Sequence, residues 1–192
     1  MRRFVLPFLI APLLAACGVN SVPTAEERAN AAWADVESSY QRRADLVPNL
    51  VATVQGVAEQ EREVLTQVTE ARSRAAQINL DSDDLRDPQA MERFAEAQNN
   101  LSGALQRLNF VVERYPELRS QENFAMLQSQ LEGTENRIDI TRRDYNEAVR
   151  AYNTEIRTFP SLLAARFIYG AERMEPYEAV TEGAEEAPTV EF

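Results

Sequence analysis

Residues 25–79 read AEERANAAWADVESSYQRRADLVPNLVATVQGVAEQEREVLTQVTEARSRAAQIN, with apolar side chains in a three-four rhythm at Trp33, Val36, Tyr40, Val47, Leu50, Val54, Val57, Val64, Val68, Ala71, Ala75 and Ile78. Side chains three and four apart share one face of an α-helix, so this spacing predicts an amphipathic helix with a coiled-coil-like seam. Pro48 interrupts it. A proline removes one main-chain hydrogen bond and costs about 3 kcal/mol in a helix interior, which predicts a kink or restart. Two segments are therefore expected, 25–46 and 48–79. Arg43 and Glu61 fall on the apolar seam 18 residues apart, about 27 Å along a straight helix. They cannot pair with each other, so each needs a partner on another helix or water.

Downstream, Asp81-Ser82-Asp83-Asp84-Leu85-Arg86-Asp87-Pro88 breaks the rhythm. Its aspartates invite a calcium-loop reading, but an EF-hand also needs a glycine at its sixth position, which this run lacks. Helix capping accounts for it, with Asp87 as N-cap and Pro88 at the first helical position. A helix is expected from Pro88 to Arg114, with Met91, Phe94, Leu101, Leu105, Leu108 and Val112 on one side and Tyr115-Pro116 ending it. The last long helix runs from Gln121 to Thr158. In it, Tyr145-Asn146-Glu147-Ala148-Val149-Arg150 is echoed seven residues later by Tyr152-Asn153-Thr154-Glu155-Ile156-Arg157, placing like side chains on one face. Gly56, Gly103 and Gly133 fall inside the expected helices at about 1 kcal/mol each relative to alanine, which either close backbone approach or drift explains.

Residues 170–192 hold seven glutamates against one arginine, so the stretch 169–192 reads as an acidic, mostly disordered tail. Long helices joined by short turns pack antiparallel. The expected fold is all-α: an elongated antiparallel up-and-down bundle over residues 25–168, of three long helical stretches counted as four helices with the Pro48 break, in a rod of roughly 50 to 60 Å.

At the other end, Met1-Arg2-Arg3, an apolar run from Phe4 to Leu14 and the stretch Leu14-Ala15-Ala16-Cys17 form the pattern of a bacterial lipoprotein signal peptide, residues 1–16. The apolar run is too short for a membrane span, which needs about 20 residues. Cys17 is then the lipid-bearing first residue of the mature chain, and 17–24 a short tether. Removing Arg2 and Arg3 takes the formal charge from −11 to about −13. Acyl chains contribute about 0.8 kcal/mol per buried methylene, so an acidic protein holds to a membrane without a basic patch. Gly18, rather than an aspartate, after the cysteine favours the outer membrane, facing the periplasm.

Composition narrows the chemistry. The 192 residues contain no histidine and one cysteine, and all 20 basic residues are arginine. Imidazole bases, Schiff-base lysines, P-loops, internal disulfides and thiolate metal clusters are excluded. A pI near 4.6 argues against nucleic acid. No cofactor or metal is expected.

The segment Gln41-Arg42-Arg43-Ala44-Asp45-Leu46-Val47-Pro48-Asn49-Leu50-Val51, with Ala32-Trp33, Tyr115-Pro116-Glu117-Leu118, the two Tyr-Asn pairs, Phe159-Pro160 and Glu186-Ala187-Pro188, resembles the LemA family of bacterial proteins. The resemblance implies a compact four-helix fold and membrane attachment near the N-terminus, and brings no settled biochemical activity with it. The chain departs from the family in having Ile168-Tyr169-Gly170 where Gly-Phe is common, and in lacking lysine.

Arg43, Asp45 and Asn49 surround a proline that frees a carbonyl, and buried polar groups left unpaired cost about 1 to 3 kcal/mol each. The cluster is expected to bond across to the last helix through Asn146, Asn153, Glu135 or a tyrosine hydroxyl. Two roles fit: a polar clasp that sets helix register, or a binding groove lined by Arg43, Tyr145 and Tyr152. The leading functional expectation is a membrane-tethered, non-enzymatic scaffold that binds other envelope proteins or a second copy of itself. The alternatives are an enzyme using carboxylates alone and a periplasmic holdase gripping unfolded chains between helical arms.

Overall fold

A computed structural model describes residues 19–178, so the signal peptide, Cys17 and the tail from 179 onward lie outside the described residues. The elements are α1 (Ser21–Gln55), α2 (Arg62–Gln77), a 3-10 turn (Asp84–Arg86), α3 (Pro88–Glu113), α4 (Pro116–Arg119), α5 (Glu122–Glu155), α6 (Ser161–Ala164) and one π-helical turn (Ala165–Tyr169). No strand occurs among the described residues. The long helices α1, α2, α3 and α5 run up, down, up and down, giving the expected all-α antiparallel bundle.

Two boundaries differ from the sequence expectation. Helix α1 begins at Ser21, so part of the expected 17–24 tether is helical. It also runs unbroken through Pro48, and the break falls at Gly56–Glu61. The reason lies on a neighbouring helix. Pro48 has no N–H for the carbonyl of Ala44, and Arg72 Nε from α2 donates to that carbonyl at 2.8 Å. With the freed acceptor satisfied from outside, the helix loses little by keeping its path.

The seam residues find partners elsewhere in the bundle. Glu61 pairs with Arg114 at 3.1 Å and accepts from the Tyr115 hydroxyl at 3.3 Å. Asp87 caps α3, accepting from the Gln89 N–H at 2.9 Å, with Pro88 in the first turn. Asp81 Oδ1 accepts from the N–H groups of Asp83 and Asp84, and Arg86 ties this loop to α1 through Glu26.

The core has two halves. One is aromatic: Trp33 meets Phe94 and Tyr145 edge-on at 5.2 and 5.0 Å, and Tyr40 meets Phe94 at 5.4 Å. The other is aliphatic, built on Val47, Leu50, Val54, Val68, Leu101, Leu105, Leu108 and Leu127, with Phe124. Neither half has need of Gly103 or Gly133: a methyl group at Gly133 would meet nothing within 4 Å, and at Gly103 only the flexible end of Arg107 at 3.7 Å. Close helix approach therefore does not explain them. Gly170 is different, since its φ of 58° is the left-handed turn that ends the last helical segment. From there residues 171–178 run extended along the bundle, with Met174 and Tyr177 buried. The expectation of a disordered tail from 169 is corrected over this stretch, because the backbone of the tail is held by α5.

Candidate functional site

The Tyr-Asn echo on α5 is a ladder that grips an extended chain. Tyr152 Oη donates to the Glu172 carbonyl at 3.0 Å, and Asn153 exchanges two bonds with Met174, donating at 2.8 Å and accepting at 3.0 Å. One heptad along, Tyr145 Oη donates to the Glu175 carbonyl at 2.9 Å, and Asn146 donates to the Tyr177 carbonyl at 3.0 Å and accepts from its N–H at 2.7 Å. Seven helical residues rise about 10.5 Å. Three residues of extended chain span about 10 Å. The two repeats therefore match, and each Asn carboxamide presents one donor and one acceptor to a single residue's backbone. Glu175 N–H donates to the Leu85 carbonyl at 2.8 Å, fastening the strap to the 3-10 turn as well.

Side chains lock the strap from inside. Tyr40 Oη donates to Tyr177 Oη at 2.8 Å, and the Arg142 guanidinium lies 4.4 Å from the Tyr177 ring. Burial pushes the phenol pKa values of Tyr40, Tyr145, Tyr152 and Tyr177 upward, and for Tyr40 the neighbouring Tyr177 adds to the rise. These hydroxyls stay protonated; those of Tyr40, Tyr145 and Tyr152 donate hydrogen bonds, and that of Tyr177 accepts one from Tyr40.

Arg43 forms a separate polar layer between the core halves. It is 2% exposed. Its Nη1 donates to Ser102 at 2.8 Å and pairs with Glu135 at 3.1 Å, while Nη2 donates to the Gln98 carbonyl at 3.1 Å and to Gln98 Oε1 at 2.8 Å. The guanidinium carbon also lies 4.9 Å from the Tyr40 ring centre. A planar fork is suited to several acceptors at once, which a lysine is not.

The expected single cluster thus divides. Arg43 reaches Glu135 on α5 as anticipated, but Asn146 and Asn153 bind the strap. Asp45 accepts from Gln41 on the exposed side of α1, and Asn49 is exposed. Tyr145 and Tyr152 are fully buried, so neither they nor Arg43 line an open surface. Sequence reasoning missed Arg72, Met174 and Tyr177. Only the last two had a local signal, two large side chains three residues apart in an acidic stretch.

An open cleft of about 610 Å³ runs between the outer face of α5 and the strap, lined among others by Arg150, Asn153, Arg157, Thr158, Arg173 and Glu178. Among the described residues no group of three or more His, Cys, Asp or Glu side chains is placed to hold a metal ion.

Comparison with known proteins finds relatives that match most of the chain. Magnetosome protein MamQ 2 of Paramagnetospirillum magneticum is 27% identical over 175 residues, covering 83% of this chain and 64% of that protein. Protein LemA of Metamycoplasma hominis is 23% identical over 124 residues, covering 65% of this chain and 52% of its own length. Magnetosome protein MamQ of Magnetospirillum gryphiswaldense is 25% identical over 157 residues, covering 73% of this chain and 58% of its own. The chain therefore spans between 52% and 64% of the length of these relatives. The LemA family profile matches residues 32–192, which takes in α1 from Ala32 onward, the other long helices and the strap, and the chain belongs to the LemA family.

Proposed function

We propose that this chain is a lipid-tethered, non-enzymatic scaffold of the bacterial cell envelope, anchored through Cys17 to the outer membrane and facing the periplasm. One observation carries the reading: the Arg43 Nη atoms and the Tyr-Asn repeat of α5 are engaged in holding the shape of the bundle. Arg43 is bound by Ser102, Gln98 and Glu135, and the Tyr and Asn side chains of α5 are bound to strap backbone. In this reading Arg43 sets helix register, as a buried polar group does in a coiled coil.

The surface supplies what a scaffold needs. Phe110 and Met126 are 66% and 53% exposed where α3 ends and α5 begins, the end of the bundle opposite the start of α1. A rod tethered at one end presents these residues away from its anchor.

Photocrosslinking from positions 110 and 126 in intact cells, comparing the wild type with Cys17→Ser, tests the proposal. The expected result is a discrete crosslink to another envelope protein in the wild type and loss of membrane fractionation in the variant. Retention of Cys17→Ser in membranes would overturn the lipid anchor. Crosslinks formed only between copies of this chain would overturn the scaffold role toward other proteins.

A further inference from the structure

The segment that follows α5 is unusual for a bundle this well packed. Phe159 is 78% exposed, Leu162 39%, Leu163 51%, Phe167 77%, Ile168 62% and Tyr169 42%. Six large apolar side chains exposed on one eleven-residue segment are a concentration of the kind that marks an interaction surface. The buried side of the same segment is anchored: Ser161, Ala164 and Ala165 point inward, and Ser161 Oγ donates to the carbonyls of Glu155 and Thr158 at 2.9 and 3.0 Å. The exposed residues are thus held outward by a fixed backbone.

Register places this surface. Helices α1 and α5 run antiparallel, with Trp33 against Tyr145 and Arg43 bonded to Glu135. Ten steps along one helix match ten along the other, which brings the start of α1 level with the end of α5. Val22 and Ala165 accordingly share one core cluster. Helix α1 begins four residues after Cys17. The apolar segment therefore sits at the end of the rod where the anchor enters.

Charge points the same way. Residues 157–173 carry Arg157, Arg166 and Arg173 against the single acid Glu172, in a chain whose formal net charge is −11. None of the three arginines has a carboxylate partner within ion-pair distance among the described residues, and Arg157 and Arg173 face the cleft beside the strap. Large apolar residues with arginines at their edge are what an interfacial membrane contact requires, apolar groups in the acyl boundary and guanidinium groups at lipid phosphates. No described helix is long and apolar enough to cross a membrane.

We infer that the segment 159–169 docks on the lipid surface beside the anchor, with Phe159, Phe167 and Ile168 in the acyl boundary and Arg157, Arg166 and Arg173 at the phosphates. The inference rests on the anchoring proposed above and extends it: the lipid tethers the chain, and this segment fixes which way the rod stands.

The test uses the full mature protein reconstituted in phosphatidylethanolamine/phosphatidylglycerol vesicles. In the acylated chain the Cys17 sulfur is blocked, so the thiol introduced by Phe167→Cys takes an environment-sensitive fluorophore alone, and Phe110→Cys is the control at the opposite end. Both side chains are largely exposed, so neither substitution disturbs the core. Quenching by lipid-borne nitroxide is expected to be at least about threefold stronger at 167 than at 110, with 167 shielded from a water-soluble quencher. Equal quenching at the two positions would overturn the docking. Disulfide crosslinks between Phe167→Cys copies without lipid quenching would assign the face to a second copy, and also overturn it. Intact mass spectrometry separates this from the anchor. An acylated chain with residue 167 in water keeps the anchor and loses the docking; an unacylated chain loses the anchor, and the docking is then read from the Phe167→Cys label in a Cys17→Ser background, where 167 carries the single thiol.

Discussion

Asn153 and Met174 exchange two hydrogen bonds, at 2.8 and 3.0 Å, so one helix side chain satisfies both backbone groups of a strap residue. Asn146 does the same for Tyr177 one heptad away. The α5 repeat recognises main chain, which makes the strap's path independent of most of its side chains.

Asn153→Ala is expected to destabilise the protein by about 1 to 3 kcal/mol, because it orphans a donor and an acceptor that are only partly open to water. The sharper readout is amide hydrogen exchange. The Met174 amide should exchange much faster in Asn153→Ala, and the Tyr177 amide in Asn146→Ala. Unchanged protection in both variants would show that the strap is held by Met174 and Tyr177 burial alone.

Arg43 and Glu135 are expected to behave unequally. Arg43 is 2% exposed while the Glu135 side chain is 43% exposed. Arg43→Ala leaves Gln98 and Ser102 without their donor inside the bundle and should cost about 3 to 5 kcal/mol by chemical denaturation. Glu135→Ala, at the rim, should cost about 1 kcal/mol or less. Unchanged melting of Arg43→Met, combined with lost partner binding, would sink the register role assigned to Arg43.

Arg72 and Pro48 should be energetically coupled although 24 residues separate them. Arg72→Ala leaves the Ala44 carbonyl with neither a helical N–H nor a guanidinium donor, a loss of about 1 to 3 kcal/mol. In a Pro48→Ala background the helix supplies its own N–H, and the same change should cost less. A double-mutant cycle with no interaction energy would contradict the bridging role.

The tyrosine network predicts alkaline lability. Tyr40, Tyr145, Tyr152 and Tyr177 have pKa values raised by burial above the ordinary phenol value of about 10. An acid whose folded pKa lies above its unfolded one contributes stability that is complete below the unfolded pKa and declines as pH rises toward the folded pKa. The melting temperature should therefore fall from about pH 10 upward. Tyr40→Phe should soften that fall, and an identical alkaline slope in wild type and variant would count against the network as its cause.

Local rules made much of this protein legible in advance. The three-four rhythm names most of the core, from Trp33 and Val36 to Val68 and Ala75, because burial of one helix face follows periodicity. Asp87-Pro88 announces the start of α3, because capping acts within one turn. Arg43 and Glu61, polar residues on an apolar seam, had to find partners elsewhere, and did. The strap was hidden for a physical reason. Composition speaks for side chains, and the acidic residues of 170–178 suggested solvation, whereas α5 binds that segment through its backbone.

The sequence by itself determined the all-α class, the helix faces and the punctuation at Asp87 and Tyr115-Pro116, since these depend on residues a few positions apart. Only the tertiary structure decided that α1 continues through Pro48, that the Tyr-Asn echo clamps the chain's own strap, and that the apolar residues of 159–169 lie at the start of α1. Each of these depends on groups far apart in the chain: a carbonyl freed at Ala44 finds its donor at Arg72, and an amide at Asn153 finds its backbone at Met174, only when packing brings the helices together.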